Sequence, residues 1–489
     1  MRALTQRFDY LFRSTKGLVL VAIALISLET VLFGLLSGPM AELGIREWWV
    51  RLTGMQLLPA EREGRIILLY HTIAQAVVAI EVYFITARLP LRPHEPALIN
   101  GTITLGYSTS MLFGMWFAYF GHDFLFHGLF IFGQCLVFFA GLLLAKALWP
   151  FRPEYKVTDP AYANWRGWDL ERLAFFVMAV STLISALFGA VPAAYWGRGQ
   201  AAFLAEDIIR QPEKTTLALA VIGHLHIMLT LIAVALTLIL SRWFDFKGRL
   251  HKLAVPLLIA GTLIIDIGVW SIVVYERTAH IIINVGSLPV LVASLLLVYY
   301  GWRQQTAARL AEAGVSRPTL LQKLGALFHD PLRFGALWQM VYMNFVVTFI
   351  GIFMAVQLDA VFRQWPLREE RIALTGHWHI LSGIIATIIL FYYADLAGLR
   401  GRVRQWFGWA VLLASDLAFA TVSVFETKRL FVGEAAQQPL VTGLMLLTDA
   451  GLATVLLMLG LLMGWRLVDL FTRNGRWARE LAEARSGEK

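Results

Sequence analysis

Long apolar stretches alternate with short polar ones over almost the whole chain. A helix needs about 20 apolar residues to cross the hydrocarbon core of a bilayer. Twelve stretches qualify, near 17–38, 64–87, 101–120, 124–146, 172–196, 215–241, 253–275, 279–301, 335–361, 372–396, 405–425 and 440–465. The pattern predicts an all-α polytopic membrane protein with one membrane domain over 1–489. Its last residues, 466–489, read as a cytoplasmic tail that ends in the helical sequence GRWARELAEARSGEK. Residues 1–16 form a basic lead, and the polar inner loop 303–333 reads as lying on the membrane surface. The loop 146–172 is charged on both signs and too short for a domain.

Composition supports this reading. The chain is 58% hydrophobic and 15% charged, with a mean hydropathy of +0.65, which excludes a soluble multidomain enzyme. The net charge of +9 invites a nucleic-acid reading, but most of the 42 Lys and Arg fall in loops on the side of the N-terminus. That bias is a topology signal. It places both termini in the cytoplasm and argues for lipid rather than nucleic acid as the partner. The single cysteine, Cys135, excludes disulfides, cysteine-ligated zinc and iron–sulfur clusters within the chain.

Histidine supplies the candidate chemistry. The second, sixth and tenth spans read GRIILLYHTIAQ, LAVIGHLHIMLT and RIALTGHWHILS, each with histidine in its outer part: His71, His224 with His226, and His377 with His379. The spans recur four apart, as in an internal repeat. Helix bundles build cofactor sites from such facing side chains. Successive helical residues rotate by roughly 100°, so His377 and His379 point to nearly opposite sides of one helix. Either each serves a different cofactor, or at least one is structural.

Other polar groups at membrane depth are Glu29, Glu81, Asp266 and Asp416. Each reads either as a proton relay or as a hydrogen-bonded packing residue. His122, Asp123 and His127 cluster in the turn between the third and fourth spans, where they serve either a metal or simply water and headgroups.

Over nearly all its spans the chain resembles subunit I of the haem–copper oxidase superfamily, which includes the cytochrome c oxidases and the large subunit of nitric oxide reductase. GHWHILSG resembles the tenth-helix signature, LWQMVYMNFVVTFIGIFMAV the ninth helix and AHIIINVGSLP the eighth. MAELGI, in the first outer loop, resembles the family's own. The resemblance implies twelve helices in three pseudo-symmetric arcs of four. It implies that His71 and His379 are axial ligands of a low-spin haem and that His377 is the proximal ligand of a high-spin haem. It also sets Lys428 and Arg429 against haem propionates, where the plainer reading is two cations on lipid phosphate.

The departures bear on copper. His224 stands at the position of the sixth-helix copper histidine, but Leu225, His226 and Met228 replace the residues that follow it in the family. The seventh span offers Asp266, Trp270 and Tyr275 where the family has adjacent histidines. The expectation is a haem-binding subunit of a respiratory electron-transfer complex with two haems and no copper. It would exchange electrons with a c-type cytochrome or other redox subunit on the outer face, or with quinol. One alternative is a terminal oxidase or nitric oxide reductase with an atypical distal metal held among His224, His226, Asp266 and His280. Another is a haem-free, transporter-like protein, to which midplane carboxylates are also suited.

Overall fold

The computed structural model describes residues 2–37, 44–57, 62–121, 123–162, 166–196, 216–473 and 475–487. Its elements in order are α1 (Arg2–Arg13), α2 (Thr15–Ser37), α3 (Ile45–Thr53), α4 (Arg62–Arg88), α5 (Glu95–Phe120), α6 (Phe124–Leu148), α7 (Leu170–Trp196) and α8 (Thr216–Trp243). They continue with α9 (Arg249–Ser271), α10 (Glu276–Glu312), α11 (Leu320–Leu327) and α12 (Pro331–Val356). The last are α13 (Leu367–Leu396), α14 (Gly401–Thr427), α15 (Glu434–Phe471) and α16 (Arg476–Gly487). Among the described residues the chain is helical, with eleven helices long and apolar enough to cross a membrane.

The third expected span, 101–120, forms its helix but falls short in apolarity. Its sequence, NGTITLGYSTS, is rich in Gly, Ser and Thr. Such residues let helix backbones approach closely. The polar loop expected over 303–333 is also largely helical. QQTAARLAEA is made of strong helix formers, so α10 runs on to Glu312. α11 follows behind a capping box in which Thr319 and Gln322 bond reciprocally.

The chain divides into two compact units. One comprises residues 1–239, 262–285 and 473–489; the other comprises 240–261 and 286–472.

In the first unit α5 and α6 cross backbone to backbone. A Cβ at Gly106 would come within 2.7 Å of the Val137 nitrogen, and one at Gly133 within 2.6 Å of the Ser110 nitrogen. Only glycine fits there. Phe117, Tyr119 and Phe130 close a core with Leu36, Leu68 and Leu69. The fully buried Arg172 donates to the carbonyls of Ala147 and Pro90 and lies 3.5 Å over the Tyr155 ring, tying three connections together. At the chain ends, α16 packs on α1 through Tyr10–Glu480 (2.9 Å) and on the first turn of α2 through Lys16–Glu480 (3.3 Å).

In the second unit α12, α13, α14 and α15 pack in sequence. Gly451 of α15 meets the Ala414 carbonyl of α14 at another glycine-only crossing. Arg404 makes a fork to both oxygens of Asp330 (3.0 and 2.7 Å) and bonds Asp395 (2.5 Å), whose other oxygen accepts from the Trp243 indole at 2.8 Å. A π turn interrupts α12 at Met343–Val347. There the Asn344 amide bonds Ser294 (2.6 Å) and the Met340 carbonyl (2.7 Å). Such turns insert one extra residue and frequently mark functional sites.

Candidate functional site

In the first unit α4 and α8 bring two of the singled-out histidines together. The rings of His71 and His224 lie with centroids 6.3 Å apart, tilted by 60°. Each has a partner behind it. His71 Nδ1 is 3.4 Å from the Gln134 amide of α6, and Gln134 is in turn bonded to Gln75 on α4. His224 Nδ1 is 2.9 Å from the Ser185 carbonyl of α7. A carbonyl only accepts, so the proton of a neutral His224 lies on Nδ1 and Nε2 keeps its lone pair. The ring also lies against bare backbone, since a Cβ at Gly189 would come within 2.8 Å of Nε2.

α7 organises the rest of this cluster. The Ser185 hydroxyl accepts from the Trp270 indole at 3.1 Å, and one turn earlier Ser181 bonds Asp266. The second Asp266 oxygen has no hydrogen-bond partner among the described residues. Glu29 accepts from Thr72, the residue after His71, and its other oxygen has no partner. Glu81 is fully buried ten residues further along α4, with an unpartnered Oε1. Unpaired buried carboxyl groups are expensive, so packing alone does not explain these three.

The remaining candidates separate. His226 is exposed on α8, and His280 is half-buried on α10. Among the described residues no group of three or more His, Cys, Asp or Glu side chains converges on one point. His224, His226, Asp266 and His280 are thus not gathered into one set of ligands. In the turn before α6, Asp123 caps the helix by accepting from the Leu125 nitrogen at 2.7 Å, and His127 stacks on Phe117 at 4.6 Å. His122 lies outside the described residues.

In the second unit, α13 presents His377 and His379 differently. His377 is half-buried against α12, where Gly351 lies so close that a Cβ there would be 3.8 Å from Nε2; His379 is exposed. Asp416, a relay candidate from sequence, is held by two donors: the Trp338 indole on one oxygen and the Gln339 amide on the other, both at 2.8 Å. Both of its oxygens are therefore satisfied. Lys428 is buried and paired with Glu369 at 2.7 Å. Arg429 reaches Glu434 only at 3.8 Å and keeps a buried Nε without a hydrogen-bond partner among the described residues.

Sequence reasoning missed two features. Glu426 is 1% exposed, presses on the backbone of Gly376 beside His377, and has no hydrogen-bond partner for either oxygen among the described residues. It lies in the last turn of α14, two residues before the Lys428–Arg429 pair, and that basic pair was the signal. The second feature is the Gln75–Gln134 relay, which joins α4 to a distant helix and leaves no trace in local spacing. No protein-family model matches the chain, and no curated protein is similar to it.

Proposed function

We propose that the chain is a haem-binding integral membrane subunit of a respiratory electron-transfer complex. It carries a low-spin and a high-spin haem and no standard copper site. The observation that carries this reading is the recurrence of histidine at one depth in the second, sixth and tenth spans, with GHWHILSG in the last. His71 and His379 are the axial pair of the low-spin haem, and His377 holds the other. When bound, haem iron supplies one-electron redox chemistry and, on an open side, a place for a small ligand such as O₂ or NO.

Several residues fit that role. Metal-ligating histidines keep a partner on the second ring nitrogen, and Gln134 stands there for His71. For His71 to ligate through Nε2, its Nδ1–H must donate to the Gln134 carbonyl oxygen. The Gln134 amide then donates to Gln75; both amides reach this arrangement by half-turns of their ends. His377 and His379 face different ways, so each serves its own iron. Of the two cations, Arg429 fits a propionate better. It has an unpartnered donor, whereas Lys428 already holds a carboxylate. The electron donor is a c-type cytochrome or another redox subunit on the outer face, or quinol; both chain termini lie in the cytoplasm.

The test is an absorption spectrum of the purified protein, oxidised, dithionite-reduced, and reduced with CO. Two haems, of which one shifts with CO, are expected. His71→Ala and His379→Ala should each abolish the bis-histidine spectrum. A protein without haem overturns the reading and turns attention to transport.

One observation favours a second reading, an atypical metal site in which His224 is joined by His71 rather than by Asp266, His226 or His280. Metal–imidazole bonds of about 2.0 Å, with roughly 1.1 Å from ring atom to ring centre, put two imidazoles about 6.2 Å apart when they bind one ion from opposite sides and roughly 5 Å apart when they bind it tetrahedrally. The observed separation is 6.3 Å. Stoichiometric non-haem metal that is lost in His224→Ala would favour it over the two-haem assignment.

A further inference from the structure

The first helix has two faces that do different things. Tyr10 is 1% exposed, donates to Glu480 at 2.9 Å and meets the Trp477 ring edge-on, so this face is docked on α16. Arg7 reaches over the same Trp477 ring. Leu4, Phe8 and Phe12 are 57%, 54% and 49% exposed, and Phe8 stacks on Phe12. At roughly 100° per residue these three form one stripe, about 200° around the helix from Tyr10. An apolar stripe this continuous requires a cover.

The corner after α1 decides what covers it. α1 and α2 are separated by Ser14 alone. The Ser14 hydroxyl donates to the Tyr10 carbonyl at 2.7 Å and accepts from the Gly17 nitrogen at 3.0 Å, while Gly17 packs on that same carbonyl. α2 is long and apolar enough to cross the membrane. α1 is therefore held rigidly at the level where its neighbour enters the bilayer. Charge points the same way. Residues 1–16 and 473–489 together carry nine Lys and Arg against four Asp and Glu, and Asp9 and Glu480 are already paired with Arg13 and Lys16. A second copy would bring like charge to like charge, whereas anionic lipid complements it.

We propose that α1 is an in-plane membrane anchor. Its Leu4–Phe8–Phe12 stripe enters the leaflet at the N-terminal end of α2, and the basic residues around it hold the headgroups of anionic phospholipids. α16 backs the helix from the opposite face. In-plane helices of this kind bury their apolar side about 5–10 Å below the headgroups. The proposal is independent of any cofactor.

The test uses the full-length chain with Cys135→Ser, a bimane label at Phe8→Cys or Gln6→Cys, and reconstitution into phosphatidylcholine vesicles with and without phosphatidylglycerol. Acyl chains brominated near the headgroup should quench most of the emission at position 8 and little at position 6. Omitting phosphatidylglycerol should weaken that quenching. Quenching at position 8 by aqueous iodide as strong as at position 6 would overturn the proposal. So would a position-8 label shielded from both quenchers, which would mean that protein covers the stripe. Quenching that is indifferent to phosphatidylglycerol would remove the headgroup half.

Discussion

The His224 imidazole donates from Nδ1 to the Ser185 carbonyl, 2.9 Å away, and lies on the bare backbone of Gly189 one turn further along α7. Hydrogen bond and glycine together fix the ring: one sets its tautomer and the other its plane. Gly189→Ala adds a Cβ within 2.8 Å of the ring. Overpacking of this kind costs about 1–3 kcal/mol. The loss should appear as a lower melting temperature and should vanish in a His224→Ala background. Equal losses in both backgrounds would contradict the arrangement.

Asp416 accepts from Trp338 and Gln339. Asp416→Ala strands the Trp338 indole, while the Gln339 amide keeps the Ser415 hydroxyl at 3.1 Å. Since an unsatisfied donor costs about 1–3 kcal/mol when buried and Trp338 is partly exposed, the expected destabilisation is about 1–2 kcal/mol. Asp416→Asn keeps one acceptor and should lose about half as much by denaturant unfolding. Haem content should be unchanged in both variants. Loss of haem or of proton uptake at full stability would restore the relay reading.

Arg404 joins Asp330 on α12's N-terminal cap to Asp395 near the end of α13. Arg404→Met leaves two partly buried carboxylates facing each other. Removing one partner of a buried pair costs about 3–5 kcal/mol, and partial exposure brings the expected loss toward about 2–3 kcal/mol. Lysine lacks the fork geometry, so Arg404→Lys should recover only part of the difference.

Glu426 makes no hydrogen bond that a mutation can take away. Glu426→Gln should leave stability within about 0.5 kcal/mol of the parent. Glu426→Met should raise the melting temperature, because replacing an unsatisfied buried polar group by an apolar one of similar shape is neutral or favourable. A large drop with either variant would mean that the carboxyl is bonded in the folded state.

Arg92 and Glu154 link two loops at 2.9 Å, outside the membrane spans. The hydrogen bond from Arg92 holds the Glu154 carboxyl below its ordinary range. A depressed folded-state value stabilises above the unfolded carboxylate pKa, and the benefit is lost as pH falls through the folded one. Protection factors of amides in residues 149–160, which remove the intrinsic pH dependence of exchange, should therefore fall on acidification below the carboxylate range in the parent. In Glu154→Gln they should be lower and should not show that step.

Most of the helices were legible because apolar runs near the bilayer's width admit few alternatives. The exceptions have physical causes. The 101–120 span is a helix whose Gly and Ser serve a close crossing, so it resembles the others less in apolarity than in length. The extension of α10 past residue 303 was hidden by polarity, although QQTAARLAEA carries strong helix propensity. At the candidate sites the opposed directions of His377 and His379 followed from helical rotation alone. The neighbour of His71 did not: His224 lies 153 positions away, and Gln134 and Ser185 arrive on two further helices. The two donors to Asp416 were likewise hidden, because they come from another helix.

The π turn of α12 has a consequence that belongs to inheritance rather than to packing. Five residues do there what roughly four do in an α-helix. Removing a single codon within Met343–Val347 would leave four residues to make one ordinary α-helical turn, so the helix on both sides would keep its facing. Gly351 would still lie against His377. A one-residue gap in a related chain, if it falls at these five positions, would thus leave what His377 faces unchanged, whereas the same gap between Thr348 and Gly351 would turn it by about 100°.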